Sequence, residues 1–242
     1  MKPGSNPEKV KSQNSKMKRS GWIILFIIFL LVDIYAVYLN NETLRYVTKP
    51  LLMPLLIGHF YFNTNSFSSI LKKWIILALI FSWLGDVLLM FESVNSNFFI
   101  YGLIAFLIAH IFYILYFDFV IQLEKLRKKY WIFIPVLAYY VLLISLLSPA
   151  LGDMRLPVRI YGVVISYMLI QSFQTARIQN KRSALLLIVG AILFIGSDSV
   201  LAINKFYQPF EYAGLVVMTT YGLAQLLLTI GAANYLTSGP KQ

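Results

Sequence analysis

Uninterrupted apolar runs of close to twenty residues recur along the whole chain, and no other feature restricts its fold so severely. A helix of that length spans the roughly 30 Å hydrocarbon core of a bilayer. In lipid every backbone amide must be satisfied within its own helix or a closed sheet. The runs are continuous rather than alternating, which argues against a barrel and leaves helices. They fall at 22–39, 47–62, 74–91, 98–117, 130–148, 157–176, 184–204 and 212–235. The sequence therefore predicts an all-α integral membrane bundle of eight transmembrane helices. The second run is the weakest: it is short and holds Pro50 and Pro54, whose freed carbonyls neighbouring helices must shield. No gap is long enough for a soluble domain, so one compact unit is expected over 21–236.

Residues 1–20 are polar, basic and rich in Ser, Asn and Pro, the composition of a disordered tail. A signal peptide also places basic residues ahead of an apolar run. The run from Trp22 to Leu39 is too long for one, and no small-x-small cleavage site follows it. A net charge of +11 raises nucleic acid as a partner, but 16 of the 21 Lys and Arg lie in the tail and in alternate gaps, all on one side. That asymmetry is a topology signal facing anionic lipid; it predicts a multi-pass protein of the cell membrane with both termini cytoplasmic, and no nucleic-acid partner. Cysteine is absent, so disulfides, thiolate catalysis and thiolate metal sites are excluded.

An ionisable side chain at the centre of a membrane span costs at least ~2.5 kcal/mol, so each one needs a reason. Asp33, Asp86 and Asp198 qualify. At ~1.5 Å rise per residue, each lies roughly 7–9 Å below the outer end of its span, in one layer that Lys49 and Lys205 border from above. Two carboxyls facing one another in low dielectric cannot both ionise easily, which leaves an acid beside a base. That is an arrangement for breaking acetal-like C–O bonds, one group delivering a proton and the other handling water. The bland alternative is a carboxyl that hydrogen-bonds a neighbouring Ser or Tyr or pairs with Lys49 or Lys205. Asp86 and Asp198 each sit beside Gly and Ser; Asp33 does not, and is read as structural or supporting. WLGDVLL at 83–89 and FIGSDSVL at 194–201 form a faint internal echo on spans three and seven, as a four-plus-four duplication would.

Other polar residues share faces with this layer. Ser82, Gly85 and Asp86 are spaced i, i+3, i+4. Gly102, Phe106, His110 and Tyr113 follow one stripe of span four, where His110 either orients a substrate or is a satisfied packing residue. Tyr221 and Gln225 are four apart on span eight and can donate inward. His59 sits at another depth from His110, which argues against a histidine zinc site, so no metal is expected. Nucleophile-elbow, phosphate-loop and H-E-x-x-H motifs are all missing.

TKP at 48–50, SWLGDVLLM at 82–90, GLIAFLIAHIFYILYF at 102–117, GAILFIGSDSVLAINKF at 190–206 and TYGLAQ at 220–225 resemble, in order and spacing, the YhhN-type lysoplasmalogenase family. The resemblance covers about residues 47–233. It implies an eight-span membrane hydrolase that cleaves the vinyl ether bond of lysoplasmalogens to a fatty aldehyde and a glycerophospho-alcohol, without a cofactor. It also maps the family's catalytic aspartates onto Asp86 in the GD motif and Asp198 in the SD motif. Under that reading one aspartate is the acid and the other activates water. Lys49, Asn204, Lys205 or Tyr221 would hold the phosphate or a glycerol hydroxyl, His110 with Tyr113 would line the pocket, and Ser82 and Gln225 are expected with them among the substrate-binding residues. Substrate and partners are then a lysophospholipid and membrane lipid. Buried acids equally mark a proton- or cation-coupled transporter, and LGD at 84–86 with a second membrane aspartate suits an intramembrane aspartyl protease, although PAL at 149–151 precedes that aspartate.

Overall fold

The computed structural model describes residues 7–238 apart from 66 and 68, with side chains from Gly21 onward. Eight α-helices follow in order: α1 (Pro7–Tyr38), α2 (Glu42–Asn63), α3 (Ile70–Met90), α4 (Asn97–Leu123), α5 (Phe133–Leu147), α6 (Arg155–Gln174), α7 (Lys181–Ala202) and α8 (Ala213–Ser238). No strand occurs among the described residues. Seven helical stretches are long and apolar enough to cross a membrane; α2 is long enough but too polar. The surface between the ends is apolar, with Leu142, Ile134 and Leu156 about 70% exposed (72%, 71% and 68%). Such a surface fits hydrocarbon rather than water, so this is a multi-pass membrane protein.

α2 starts at a polar cap. Asn41 caps the helix by accepting from Leu44 N at 3.0 Å, and Glu42 in the first turn pairs with Arg45 at 3.3 Å. The helix thus begins five residues ahead of its apolar run. Its prolines are accommodated by a neighbour. Pro54 lacks the N–H that would bond the Pro50 carbonyl, and the Trp83 indole of α3 donates to that oxygen at 2.9 Å instead. Elsewhere too the helices overrun or undershoot the apolar runs. Asn180 caps α7 at Ser183 N, 3.0 Å away, three residues before the expected start. Membrane span five is a 15-residue α-helix with 3₁₀ turns at Tyr130–Ile132 and Ser148–Ala150. Of the expected disordered tail, residues 1–6 lie outside the described residues, and 7–20 continue α1 as helical backbone, propagated from the apolar run that follows.

Successive neighbours α1, α2, α3, α4, α6, α7 and α8 close a ring, with α8 also touching α2 and α3 across it. α5 lies outside, against α6 and the end of α7. Pairing is tightest for α1 with α2, α3 with α4, and α7 with α8, so the two helices that carry the GD and SD motifs each have a hairpin partner. α7 ends in a single π turn, Ile203–Tyr207, closed by Gln208 N on Ile203 O at 2.9 Å. Wide turns of this kind displace the residues that follow and recur at functional sites.

Candidate active site

Asp86 sits one turn from the end of α3 and is almost fully buried. Its Oδ2 accepts from the Tyr221 hydroxyl of α8 at 2.7 Å, and its Oδ1 is 3.6 Å from the Lys49 ammonium of α2. Asp198 sits one turn from the end of α7, where Tyr161 of α6 donates to its Oδ2. Its side chain is 17% exposed and no Lys or Arg pairs with it among the described residues. Both carboxyls line one cavity of about 290 Å³. Six helices contribute to it: Arg45 and Lys49 from α2, Asp86 and Leu89 from α3, Phe106 from α4, Tyr161 from α6, Ser197 and Asp198 from α7, and Tyr221 from α8.

The walls are mostly apolar and the charges are grouped. Phe106 stands edge-on to Phe194 and Tyr221, forming an aromatic floor. Gly85 makes room for it, because a Cβ there would come within 2.6 Å of the Phe106 ring. At the mouth, Arg45, Lys49, Leu89 and Glu92 are shared with a wider polar recess of about 460 Å³. Arg45 Nε is buried there with no hydrogen-bond partner. On the other flank, Val158, Tyr161, Asp198 and Ala202 are shared with an apolar slit of about 40 Å³ between α5, α6 and α7. Tyr139 and Ser199 are hydrogen-bonded to each other within that slit.

Of the residues singled out in the sequence, Lys49, Asp86, Asp198, Asn204 and Tyr221 line the cavity. Four others lie beneath it rather than in its wall. Tyr113 donates to Gln225 Oε1 at 2.7 Å, and Gln225 Nε2 donates to the Ser82 hydroxyl at 2.9 Å and to the Tyr221 oxygen at 3.4 Å. This buried chain fixes the phenol that holds Asp86. His110 is fully buried, packed edge-on against Phe194 and Tyr161, and its Nε2 is 3.9 Å from Asp198, too far for a hydrogen bond. Lys205 does not line the cavity: it is paired with Glu92 and lies 4.4 Å over the Phe99 ring. Asn204 lines the cavity, but its carbonyl oxygen is committed to Phe210 N at 3.1 Å. Asp33 is outside the cavity, accepting from Thr48 at 2.6 Å one residue before Lys49.

Sequence reasoning passed over Arg45, Glu92, Tyr161 and Ser197. Arg45 reads only as a charge counted for topology, and Glu92 stands in a gap between apolar runs with no motif around it. Tyr161 is one tyrosine among 16, and Ser197 sits in the SD motif with its hydroxyl turned to Val217 O at 3.0 Å.

Comparison with known proteins places these residues in a familiar sequence context. Residues 44–232 match the model of the YhhN family. The human lysoplasmalogenase TMEM86B is 36% identical over 158 residues, covering 64% of this chain and 61% of that protein. The human lysoplasmalogenase TMEM86A is 30% identical over 164 residues, 66% of this chain and 65% of that protein. A lysoplasmalogenase of Mycobacterium bovis is 29% identical over 163 residues, 66% of this chain and 60% of that protein. The chain thus spans about three fifths of the length of the curated relatives it matches. No solved structure matches.

Proposed function

The chain belongs to the YhhN family, and from that premise we propose that it is a lysoplasmalogenase, cleaving the vinyl ether bond of lysoplasmalogens with Asp86 and Asp198. The observation that carries this reading is the single cavity of about 290 Å³ into which both carboxyls project. Its surroundings match the parts of such a lipid. The polar recess with Arg45 and Lys49 suits a phosphate, the cavity suits the enol ether, and the slit beside α5 suits the start of the hydrocarbon chain. The Lys and Arg distribution supports cytoplasmic termini and a cavity opening toward the outer leaflet of the cell membrane.

The environments of the two aspartates differ, and the difference supports distinct roles. Asp86, 3.6 Å from an ammonium and bonded by a phenol, is held as a carboxylate. Asp198 has a phenol but, among the described residues, no Lys or Arg partner, and carries the proton. Asp198 delivers that proton to the β-carbon of the vinyl ether, the C=C electrons form the new C–H bond, and the α-carbon becomes an oxocarbenium ion. The Asp86 carboxylate stabilises this cation and takes a proton from the water that captures it. In the resulting hemiacetal, Asp198, now a carboxylate, accepts the hydroxyl proton while Asp86 returns its proton to the glyceryl oxygen. The C–O bond breaks, aldehyde and glycerophospho-alcohol leave, and both carboxyls are back in their starting states.

The test is purified protein with a lysoplasmalogen and with its saturated alkyl-ether analogue, read by free aldehyde. Release from the vinyl ether alone is the expected result. No aldehyde from either, together with proton or cation uptake into liposomes, would reject the hydrolase in favour of the transporter.

A further inference from the structure

A second built pocket lies at the opposite end of the bundle. It has a volume of about 210 Å³. Three elements form it: the loop between α4 and α5, the first turn of α5, and the end of α6 with its 3₁₀ turn Thr175–Arg177. The walls divide into two halves. Arg127, Lys129 and Arg177 supply three positive charges, and among the described residues no carboxylate lines the pocket. Trp131, Ile132, Pro135 and Phe173 supply an apolar half that runs from the 3₁₀ turn, where Trp131 is 62% exposed, onto the outward face of α5, where Ile134 is 71% exposed.

The pocket is held open by a double hydrogen bond. Lys129 N donates to Gln174 Oε1 at 2.8 Å, and Gln174 Nε2 donates to Lys129 O at 3.0 Å, pinning the loop to α6. Gln174 is itself 6% exposed, so this clamp is a fixed part of the fold. The neighbouring cation is already taken: Lys128 bonds Asp118 at 2.8 Å, and that carboxylate holds its ammonium above the usual lysine range. No ion pair is found for Arg127, Lys129 or Arg177 among the described residues; Lys129 lies 5.7 Å over the Trp131 ring.

We propose that this pocket binds one anionic glycerophospholipid, its phosphate on Arg127, Lys129 and Arg177 and its glycerol and first methylenes against Trp131 and Phe173. Free phosphate would use the cations alone and leave the apolar half in contact with water. A phospholipid covers both, and its chains continue along the lipid-facing side of α5. Because α5 packs mainly on α6, such a lipid would brace the helix that forms one wall of the slit beside Asp198.

The pocket shares no residue with the cavity at the other end, and its test does not use activity. Purified protein in detergent is mixed with equal amounts of phosphatidylglycerol and phosphatidylcholine, then examined by native mass spectrometry. The expected spectrum shows one retained phosphatidylglycerol per chain. Arg127→Gln, Lys129→Gln and Arg177→Gln together should cut that retention roughly tenfold or more. A matched removal of three exposed cations from the same end but outside the pocket, Lys73→Gln, Lys125→Gln and Arg182→Gln, should leave it nearly unchanged. Equal loss in both triple variants, equal retention of phosphatidylcholine, or displacement of the lipid by millimolar inorganic phosphate would each overturn the proposal. If the pocket variant fails to elute as a folded species, the lipid preference and phosphate competition of the unaltered protein still decide it.

Discussion

The two flanks of the cavity are built from the same parts in unequal amounts. On each, a carboxyl near the end of a helix accepts a hydrogen bond from a tyrosine on a neighbouring helix. The Asp86 flank adds Lys49 and a buried chain through Gln225 to Ser82 and Tyr113. The Asp198 flank adds a π turn, the packed ring of His110 and a slit toward lipid. Symmetric motifs have thus been given asymmetric surroundings. In the proposed mechanism a carboxyl beside a fixed cation serves as the base and the other as the acid, and the apolar end of the lipid would enter the slit on the acid's side.

The comparison can be broken by removing what the flanks share and sharpened by removing what they do not. Asp86→Asn and Asp198→Asn keep shape but lose the titrating oxygen, and each should lower aldehyde release by about 10³-fold or more, since acid–base groups contribute roughly 10²–10⁴. A folded Asn variant with near-normal turnover would remove that aspartate from the mechanism. Lys49→Met, specific to the base flank, deprives Asp86 of its cation. A charge-assisted interaction of ~1.5–3 kcal/mol corresponds to a loss of roughly 10–100-fold, read as kcat at saturating lipid. On the acid flank, Tyr161→Phe removes a single donor, and a neutral hydrogen bond of about 1 kcal/mol predicts a loss of only several-fold. Equal effects at Lys49 and Tyr161 would erase the proposed division of roles. Gly85→Ala pushes a methyl into Phe106, whose ring must shift; the overpacking should cost about 1–3 kcal/mol in thermal unfolding, with KM raised only a few-fold. The smallest effect belongs to Trp83→Phe, which frees the Pro50 carbonyl and should cost about 1 kcal/mol in thermal unfolding with turnover intact.

What the sequence disclosed follows from how strongly lipid punishes exceptions. Apolar runs located the helices, and aspartates inside them located the cavity, because both are costly to misplace. Helix ends were poorly visible where local caps, not apolarity, decide them: Asn41 and Asn180 start α2 and α7 ahead of their runs. Tyr161 was hidden because a tyrosine in a span is ordinary until its hydroxyl is seen to meet Asp198. The pairing of Lys205 is invisible in the sequence because its partner, Glu92, is 113 residues away and meets it only through the fold. Asp33 differs from the other two aspartates in its flanks, and it bonds Thr48, next to Lys49, outside the cavity.

Asp86→Asn, Asp198→Asn and the double variant, assayed together for aldehyde release from a lysoplasmalogen, test most directly whether the two carboxyls act as one unit. Groups that act in one reaction cycle lose their effect together, so the double variant should be no slower than either single variant. Losses that multiply, or a single variant with full activity, would contradict it.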